Sequence, residues 1–569
     1  MADQEQPVNV NSDYDLDNPI TSKVGLRQGL ASYGDPHFSL FLRKVFIKAL
    51  GYSEDALSRP IIGIVNTYSS FNPCHANIPQ LIDAVKRGVQ LNGGLAIDFP
   101  TISIHESFSS PTSMYLRNLM SMDTEEMISA QPCDAVVLIG DCRNNWAKYR
   151  AGTIDIEDIS AINDGLAPTA GTCGVMGTAS TMACILAGLG MMPFAGASAP
   201  AVSSSRLRIA EATGKYAVEA TKQLETLRPQ ALLTRESFLN AITVLQAIGG
   251  STNAVVHLMA IVGRHPKVAG TIDLDTVDEI GRKTPLVVDL KPSGDNYMTD
   301  FHNSGGMLAL FHEIKPLLFL DAMTVTGLTL GEEMARASFV AVPRDLSVIQ
   351  PFDKPLYPVS SLVVLRGNLA PGGAVMKASA SKYRRLLKHS GRAVVFRNSA
   401  DMAERIDDPD LDVSPDSVLV LQNIGLVGNP GMPEAGLIPI PRKIASQGVL
   451  DMLRLSDGRM SGTAGGTIGL HISPEAADPT SVFGIIKDGD IITCDVEARL
   501  LRLELSEDVI QQRIKERSQQ VEEQNMPWEA RKRIRGYRGL YMRHVNQAQN
   551  GGDFDFLTAE GPNQGTVSQ

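Results

Sequence analysis

Three cysteines lie in loops where a thiol could bind a metal. Cys74, Cys142 and Cys173 stand in the segments FNPCHAN, IGDCRN and GTCGVMG, each at the end of a predicted strand or the start of a predicted helix. Thiolates placed in this way could ligate an iron–sulfur cluster and leave one iron open to a substrate. No CxxC spacing supports such a cluster, so three unrelated buried thiols are the alternative. The other cysteines fall within or beside apolar elements, which predicts small buried hydrophobic residues: Cys133, Cys184 and Cys494.

Two glutamates and a serine form a second set of candidates. Glu106 in ISIHESF follows a predicted strand, and Glu434 lies in NPGMPEAG. Mg²⁺ is commonly held by one or two carboxylates with substrate and water, although either glutamate alone could be solvated or cap a helix. Ser461 lies in the glycine-rich segment GRMSGTAGGTIG, whose backbone amides could cradle an anion. A serine acts as a base only where a metal or cationic site lowers its pKa, and the alternative is a flexible turn between domains.

A further segment, GGSTNAVVHL, predicts a helix start at its Ser-Thr-Asn residues. These residue types either serve as an ordinary N-cap or mark a helix N-terminus that faces a substrate anion.

The overall composition excludes several classes of protein. The chain has 569 residues, 43% hydrophobic and 20% charged, as expected for a globular protein of two or three domains. A net charge of −11 and an aromatic content of 5% argue against a nucleic-acid or anionic-membrane surface. Six scattered cysteines do not indicate a disulfide framework, and we see no signal peptide, transit peptide or membrane-spanning stretch. These features predict a cytoplasmic protein that acts on a small molecule.

The candidate residues must be positioned by an α/β architecture. The segments PIIGIVNTYSS, LAIDFPTISIHES and CDAVVLIGD are typical of strands, and helical spacing between them predicts a parallel sheet with helices on both faces. The pattern becomes mostly helical from about residue 175 to 345, and short strands between Gly and Pro turns then predict a barrel-like domain. We therefore predict a flexible arm over residues 1–35, an α/β domain with the cluster ligands over 36–350, and a β-rich domain with a helical tail over 351–569.

Taken together, these segments resemble the dihydroxy-acid and sugar-acid dehydratases over about residues 25–557. The sugar-acid branch, which acts on pentonates and hexonates, looks closer because of SDGRMSGTAGGT, LHISPEA and the ending RGYRGLYMRHVNQAQNGGDFDFL. The resemblance rests on many motifs: NPCHANIPQL, PTISIHESF, GTCGVMGTASTM, GGSTNAVVHL, DFHNSGGM, LRGNLAPGGAVMK, NPGMPE and SDGRMSGTAGGT. It implies an α/β domain followed by a β-barrel-like swivelling domain, in a homodimer or homotetramer.

The resemblance also implies a metal-assisted elimination of water from an aldonate such as arabinonate or xylonate. The three loop cysteines would hold a [2Fe–2S] cluster, and Glu106 and Glu434 would bind Mg²⁺. Ser461 would take the C2 proton, and Thr463 would assist by hydrogen bonding. Loss of the C3 hydroxyl would give an enol that becomes a 2-keto-3-deoxy acid. A branched-chain dihydroxy acid is the alternative substrate.

The chain departs from the family immediately after Cys142. In the family this cysteine is followed by an Asp that binds Mg²⁺ and by a Lys that, once carbamylated, is another ligand. Arg143 and Asn144 stand there instead, and Lys148 is interpreted as a helix residue. A missing block weakens the expected Mg²⁺ site. It indicates either a gene-model or splicing omission, or a non-catalytic homologue that persists as a folded partner.

Overall fold

The chain forms two compact units. The structure, a computed structural model, describes residues 24–28, 30, 33–140, 169–171, 174–337, 345–462, 464–524 and 526–559. The first unit comprises Met1–Ser103, Leu119–Gly140 and Val202–Arg228, and the second comprises Ile104–Asn118, Asp141–Ala201 and Pro229–Gln569. Three predicted site residues, Cys142, Cys173 and Thr463, lie outside the described residues. Most of the predicted arm and the last ten residues of the chain also lie outside them.

The first unit is built on a three-stranded parallel sheet, as predicted. Its strands are β1 (Ile61–Asn66), β2 (Leu95–Pro100) and β3 (Ala135–Leu138), in the order β2–β1–β3. Successive residues of β1 point to opposite faces, so Ile62 and Ile64 pack against the helices Ile78–Leu91 and Ser204–Ala220.

The opposite face of this sheet has its own apolar cluster. There Ile61 and Leu95 pack against Leu26, Leu40 and Leu57 from the N-terminal helices. Helices therefore cover both faces of the sheet, which confirms the α/β architecture predicted from the alternation of strands and helices.

The helical part of the second unit contains a largely buried helix, Arg235–Ala247, whose residues from Ser237 onward are all buried. The helix Thr178–Gly188, in the stretch predicted to be mostly helical, packs against it. The α-helices of the described residues are Pro36–Ala49, Glu54–Leu57, Ile78–Leu91, Arg117–Ala130, Thr178–Gly188, Ser204–Ala220, Leu224–Leu227, Pro229–Leu232, Arg235–Ala247, Asn253–Arg264, Leu274–Gly281, Met298–Asn303, Gly306–Ile314, Leu330–Arg336, Ser399–Arg405, Arg442–Ala445, Glu507–Glu523, Pro527–Ala530 and Gly536–His544.

The second unit also contains a nearly closed, barrel-like sheet of eight strands. They are β4 (Val363–Leu365), β5 (Gly373–Met376), β6 (Lys388–Phe396), β7 (Val418–Leu421), β8 (Arg454–Ser456), β9 (Ile468–Ser473), β10 (Ile491–Asp495) and β11 (Leu500–Leu503). Their order in the sheet is β11–β10–β6–β7–β8–β9–β5–β4. The neighbours from β6 to β9 are parallel, and the other pairs are antiparallel.

Backbone hydrogen bonds of Arg366 join the two edges of this sheet. Its N–H donates to the Arg499 carbonyl at 2.8 Å, and the Leu501 N–H donates to the Arg366 carbonyl at 2.7 Å. Edge strands that are paired in this way no longer expose open hydrogen-bonding groups. The predicted barrel-like architecture of this part of the chain is therefore confirmed.

Cys184 and Cys494 are buried core residues, as their apolar surroundings predicted, whereas Cys133 is partly buried against an apolar cluster. Burial raises the pKa of Cys184 and of Cys494 to about 12, and that of Cys133 to about 11. These thiols stay protonated at neutral pH, so they are poor metal ligands. In the part of the chain that the structure describes, we find no helix that is both long and apolar enough to cross a membrane.

Candidate active site

Two glutamates that the sequence predicts as cation ligands meet at one arginine in the second unit. Arg459 Nη2 donates to Glu106 Oε2 at 2.9 Å, and Nη1 donates to Glu434 Oε1 at 2.6 Å. The side chains are largely buried, with exposed fractions of 7% for Arg459, 15% for Glu106 and 18% for Glu434. Water screens such pairs little, so this Glu–Arg–Glu triad fixes the two carboxylates relative to each other.

The loop after Glu106 folds back onto its carboxylate. Thr112 Oγ1 donates to Oε1 at 2.6 Å, and the backbone N–H of Ser113 donates to Oε2 at 3.0 Å. The Ser113 hydroxyl donates to the same oxygen. Burial opposes ionisation, but the charge of Arg459 and these hydrogen bonds outweigh it and hold the pKa of Glu106 below its usual value. Glu106 is therefore an anion at neutral pH.

The second carboxylate of the triad has a different electrostatic environment. Burial raises the pKa of Glu434, and the positive charge of Arg459 only partly offsets this effect because the charge of Glu106 adds to it. Glu434 therefore takes up a proton more readily than Glu106.

The loop that carries Glu434 comes unusually close to the loop that follows Glu106. Gly431 has a φ of 92°, and a Cβ at this position would lie 2.5 Å from Thr112 Cγ2 and 2.6 Å from Tyr115 Cβ. Only glycine accommodates both this backbone conformation and this contact. The next residue, Met432, has a φ of 55°, which is strained for a side chain of this size. Arg459 Nε donates to its carbonyl at 2.8 Å, so the triad also holds the strained residue.

Ser461 lies in a turn that packs against the starts of two helices. A Cβ at Gly462 would lie 2.6 Å from the backbone nitrogen of Thr178, so only glycine permits this approach. Asn253 begins the second helix, and its Nδ2 donates to the Met460 carbonyl and to Thr178 Oγ1, both at 3.1 Å. Helix N-termini carry partial positive charge, so this arrangement favours an anion beside the turn.

The predicted helix start in GGSTNAVVHL is confirmed at Asn253. The N-cap residue is Thr252, whose side chain makes no capping hydrogen bond, and the preceding Ser251 Oγ accepts the Asn253 N–H at 3.3 Å instead. Ser251 Oγ also forms a hydrogen bond with Thr178 Oγ1 at 3.0 Å, which ties the two helix starts together. That this N-terminus faces a substrate anion stays a prediction.

A buried aspartate anchors the far end of the glycine-rich segment. Asp451 accepts hydrogen bonds from the backbone N–H of Thr467 at 3.0 Å and from its hydroxyl at 2.8 Å. Arg454 Nη2 donates to the same carboxylate at 2.7 Å, and the Gly466 N–H donates to the Ala380 carbonyl at 3.1 Å. These bonds fix the segment just before β9 begins.

A second buried carboxylate, Glu475, holds the loop that carries Glu434. The backbone N–H groups of Val427 and Gly428 donate to its Oε2 at 2.9 and 2.8 Å, and Gln547 Nε2 donates to Oε1 at 3.2 Å. Burial raises the pKa of Glu475 to about 7, the charge of a neighbouring aspartate adds to the rise, and the hydrogen bonds oppose it. Stability should therefore depend on pH through this group.

The sign of that dependence follows from proton linkage. Between about pH 4.5 and 7, folded Glu475 keeps a proton that the unfolded chain has lost, so raising the pH costs stability; above pH 7 the cost is constant. We expect the thermal-unfolding midpoint of Glu475→Gln to rise relative to the parent protein across this window, whatever the offset at pH 4.5. Calorimetry at several pH values measures this difference. A difference that does not change between pH 5 and 7.5 would contradict the raised pKa.

In the first unit, Cys74 lies at the carboxyl edge of the parallel sheet. It belongs to the short turn Pro73–His75 and is 3% exposed. His75 Nδ1 forms hydrogen bonds with the Thr67 carbonyl at 2.7 Å and with Ser103 Oγ at 3.2 Å. Thr67 and Ser103 follow β1 and β2, so these bonds hold the turn where open α/β sheets bind their ligands. Its predicted position, in a loop after a strand, is confirmed.

The donor chemistry of these residues fits the expected cofactors. Of the seven predicted site residues, four are described, and Glu106, Glu434 and Ser461 all belong to the second unit, whereas Cys74 belongs to the first. Two carboxylates are a usual protein complement for Mg²⁺, and a buried loop thiol suits an iron–sulfur cluster. Among the residues that the structure describes, no three His, Cys, Asp or Glu side chains converge as metal ligands.

Sequence reasoning missed three residues that organise this site: Arg459, Asp451 and Glu475. A signal existed for Arg459, because it stands two residues before Ser461 in a segment predicted to bind an anion. Asp451 and Glu475 carry no local signal, since an acidic residue in a loop is usually solvated.

Comparison with known proteins places these motifs in a wider context. The family model described as dihydroxy-acid/6-phosphogluconate dehydratase, N-terminal, matches residues 59–146 and 141–333. The corresponding C-terminal model matches residues 347–552. The N-terminal match is split at residues 141–146, the point where a block after Cys142 is predicted to be missing.

Individual relatives match over nearly their whole length. The chain is 40% identical to an L-arabonate dehydratase of Azospirillum brasilense, over 91% of this chain and 94% of that one. It is 36% identical to a 6-deoxy-6-sulfo-D-gluconate dehydratase of Pseudomonas putida, over 89% and 92% of the two chains. It is 32% identical to a dihydroxy-acid dehydratase of Caldicellulosiruptor saccharolyticus, over 91% and 97%.

Proposed function

Because the chain belongs to the dihydroxy-acid/6-phosphogluconate dehydratase family, we propose that it removes water from an aldonate such as arabinonate or xylonate. The observation that carries this proposal is the Glu–Arg–Glu triad, whose arginine stands two residues before Ser461. Buried carboxylates, a cation and a serine beside two helix N-termini suit an acid substrate that must lose a proton.

We further propose which groups assist the reaction. A [2Fe–2S] cluster would be held by Cys74, Cys142 and Cys173, and Mg²⁺ would be held by Glu106 and Glu434. Both would act as Lewis acids on the hydroxyl oxygens of the reacting carbons. We also propose a homodimer or homotetramer, which the resemblance implies.

The chain's own residues would handle the proton. Deprotonated Ser461 Oγ takes the proton from C2, the C–H electron pair forms the C2–C3 double bond, and the C3 hydroxide leaves and is protonated to water by the same serine. The resulting enol tautomerises to the 2-keto-3-deoxy acid. A serine hydroxyl is weakly acidic, so it needs neighbouring positive charge to act as a base. Arg459 and the helix starts at Thr178 and Asn253 support that requirement from the described residues. Thr463 would assist by hydrogen bonding.

A sugar acid is favoured over a branched-chain acid as the substrate. The reason is that the chain is more identical in sequence to the arabonate and sulfogluconate enzymes than to the dihydroxy-acid dehydratase. The 6-deoxy-6-sulfo-D-gluconate relative suggests that longer, doubly charged acids also belong in the substrate panel.

The test is turnover of the full chain, prepared without oxygen and supplied with iron, sulfide and Mg²⁺. We expect arabinonate or xylonate to yield a 2-keto-3-deoxy acid faster than 2,3-dihydroxyisovalerate yields its keto acid, with mass spectrometry to identify each product. Faster turnover of the branched acid would assign the other substrate class. A protein that stays colourless and inactive on every acid would contradict the proposal and support a non-catalytic homologue.

A further inference from the structure

Arg459 occupies the position between Glu106 and Glu434 that a bound cation would need. Its two terminal nitrogens donate to one carboxylate each, and its Nε is held by the Met432 carbonyl. Nη2 is held further by Thr112 Oγ1 at 3.0 Å. A planar guanidinium that binds a different carboxylate with each terminal nitrogen is held in one orientation by charge-assisted hydrogen bonds. The arginine is thus built into the site by neutral as well as charged partners.

Three of the four hydrogen bonds to the Glu106 carboxylate converge on one oxygen. Oε2 accepts from the Ser113 N–H, the Ser113 hydroxyl and Arg459 Nη2, whereas Oε1 accepts from Thr112 Oγ1. A carboxylate oxygen offers about two lone-pair positions, so a metal ion can bind Oε2 only after one of its donors leaves. Arg459 is the donor shared with Glu434, so its departure frees both carboxylates at once.

We infer that Arg459 is an internal counter-ion that competes with the divalent cation for Glu106 and Glu434. This inference rests on the proposed function, because it concerns the cation of that same site. Without a cation, the guanidinium neutralises part of the negative charge and keeps the two loops together. Cation binding exchanges one buried positive charge for another, and the exchange lowers the apparent affinity for the metal.

The sequence after Cys142 shifts the exchange further towards the arginine. Arg143 and Asn144 stand where the resemblance implies an Asp and a carbamylated Lys as metal ligands, so two anionic contributions to cation binding would be missing. With fewer ligands, the cation has less free energy with which to displace Arg459. The competition is therefore expected to matter more in this chain than where that ligand pair is present.

The experiment is a titration of the full chain with Mn²⁺, with the free ion measured by its electron paramagnetic resonance signal. We expect Arg459→Gln to bind Mn²⁺ at least tenfold more tightly than the parent protein, and Arg459→Lys to fall between them. A merely structural role for Arg459 would weaken Mn²⁺ binding in both variants and would overturn the inference. Should Arg459→Gln fail to fold, the lysine variant, which keeps the charge but cannot bridge both carboxylates equally well, gives the same direction of change.

Two controls separate this inference from the proposed function. Arg392→Gln removes one positive charge at an exposed ion pair and should leave Mn²⁺ affinity unchanged. Adding Glu434→Gln to Arg459→Gln should abolish the tight binding, which locates it at the triad. Equal affinity in the parent protein and both Arg459 variants would overturn the competition but leave the metal site intact. Absence of Mn²⁺ binding in all of them would overturn the metal site, and the inference with it.

Discussion

Replacing Ser461 by alanine is expected to lower kcat for aldonate dehydration by about 10²- to 10⁴-fold, the usual contribution of a positioned acid–base group. The serine stands in a turn fixed on both sides, by the contact of Gly462 with Thr178 and by the hydrogen bond from Asn253 to Met460. A base held this rigidly is already oriented for proton transfer, so its removal should slow the chemical step.

The loss should appear in kcat with little change in KM, because the hydroxyl is assigned to proton removal and not to binding. Alanine is smaller than serine, and the turn keeps its glycine, so the thermal-unfolding midpoint should hardly change. Ser446→Ala, at an exposed serine of the same unit, is the matched control and should leave both kinetic constants unaltered. Retention of more than a tenth of the parent kcat by Ser461→Ala would remove Ser461 from the role of base.

The elements of the fold could largely be predicted because their signals are local. β1 is a continuous apolar run that is buried on both faces, and the helix Ile78–Leu91 buries one face at helical spacing, so each element has a local signal. The pairing that closes the barrel-like sheet could not be predicted, because it joins the backbone of Arg366 to those of Arg499 and Leu501, which lie far from it in sequence.

The two glutamates and the serine of the candidate site could be predicted from the sequence, whereas the arginine could not. Glu106, Glu434 and Ser461 stand in motifs that resemble a known family, and the structure brings the two glutamates together. The link between them comes from Arg459, which lies 353 residues from Glu106 in sequence. A contact over this distance cannot be predicted from any local segment of the sequence, and the burial of a charge is known only from the folded structure. The roles of the cysteines and of Thr463 stay predictions.

A second large effect is expected on stability when Asp451 is replaced by alanine. Asp451 and Arg454 form an ion pair at 2.7 Å with exposed side-chain fractions of 0% and 5%. Burial lowers the pKa of Arg454, the charge of Asp451 counteracts this, and a guanidinium remains charged in any case. Removal of the carboxylate therefore leaves a buried, uncompensated cation, a change that typically costs about 3–5 kcal/mol.

The same substitution also removes acceptors from three backbone N–H groups, those of Lys382, Met452 and Thr467. Calorimetry should show a thermal-unfolding midpoint several degrees lower. Asp451→Asn should lie between parent and alanine variant, because the amide keeps one acceptor oxygen but not the charge. Asp416→Ala, which breaks an ion pair with Arg385 at the exposed surface, should change stability by less than about 1 kcal/mol. If Asp451→Ala melts at the same temperature as the parent protein, the Arg454 charge must find another partner, and the Ser461 segment must be anchored by its other contacts, such as the hydrogen bond from Gly466 to Ala380.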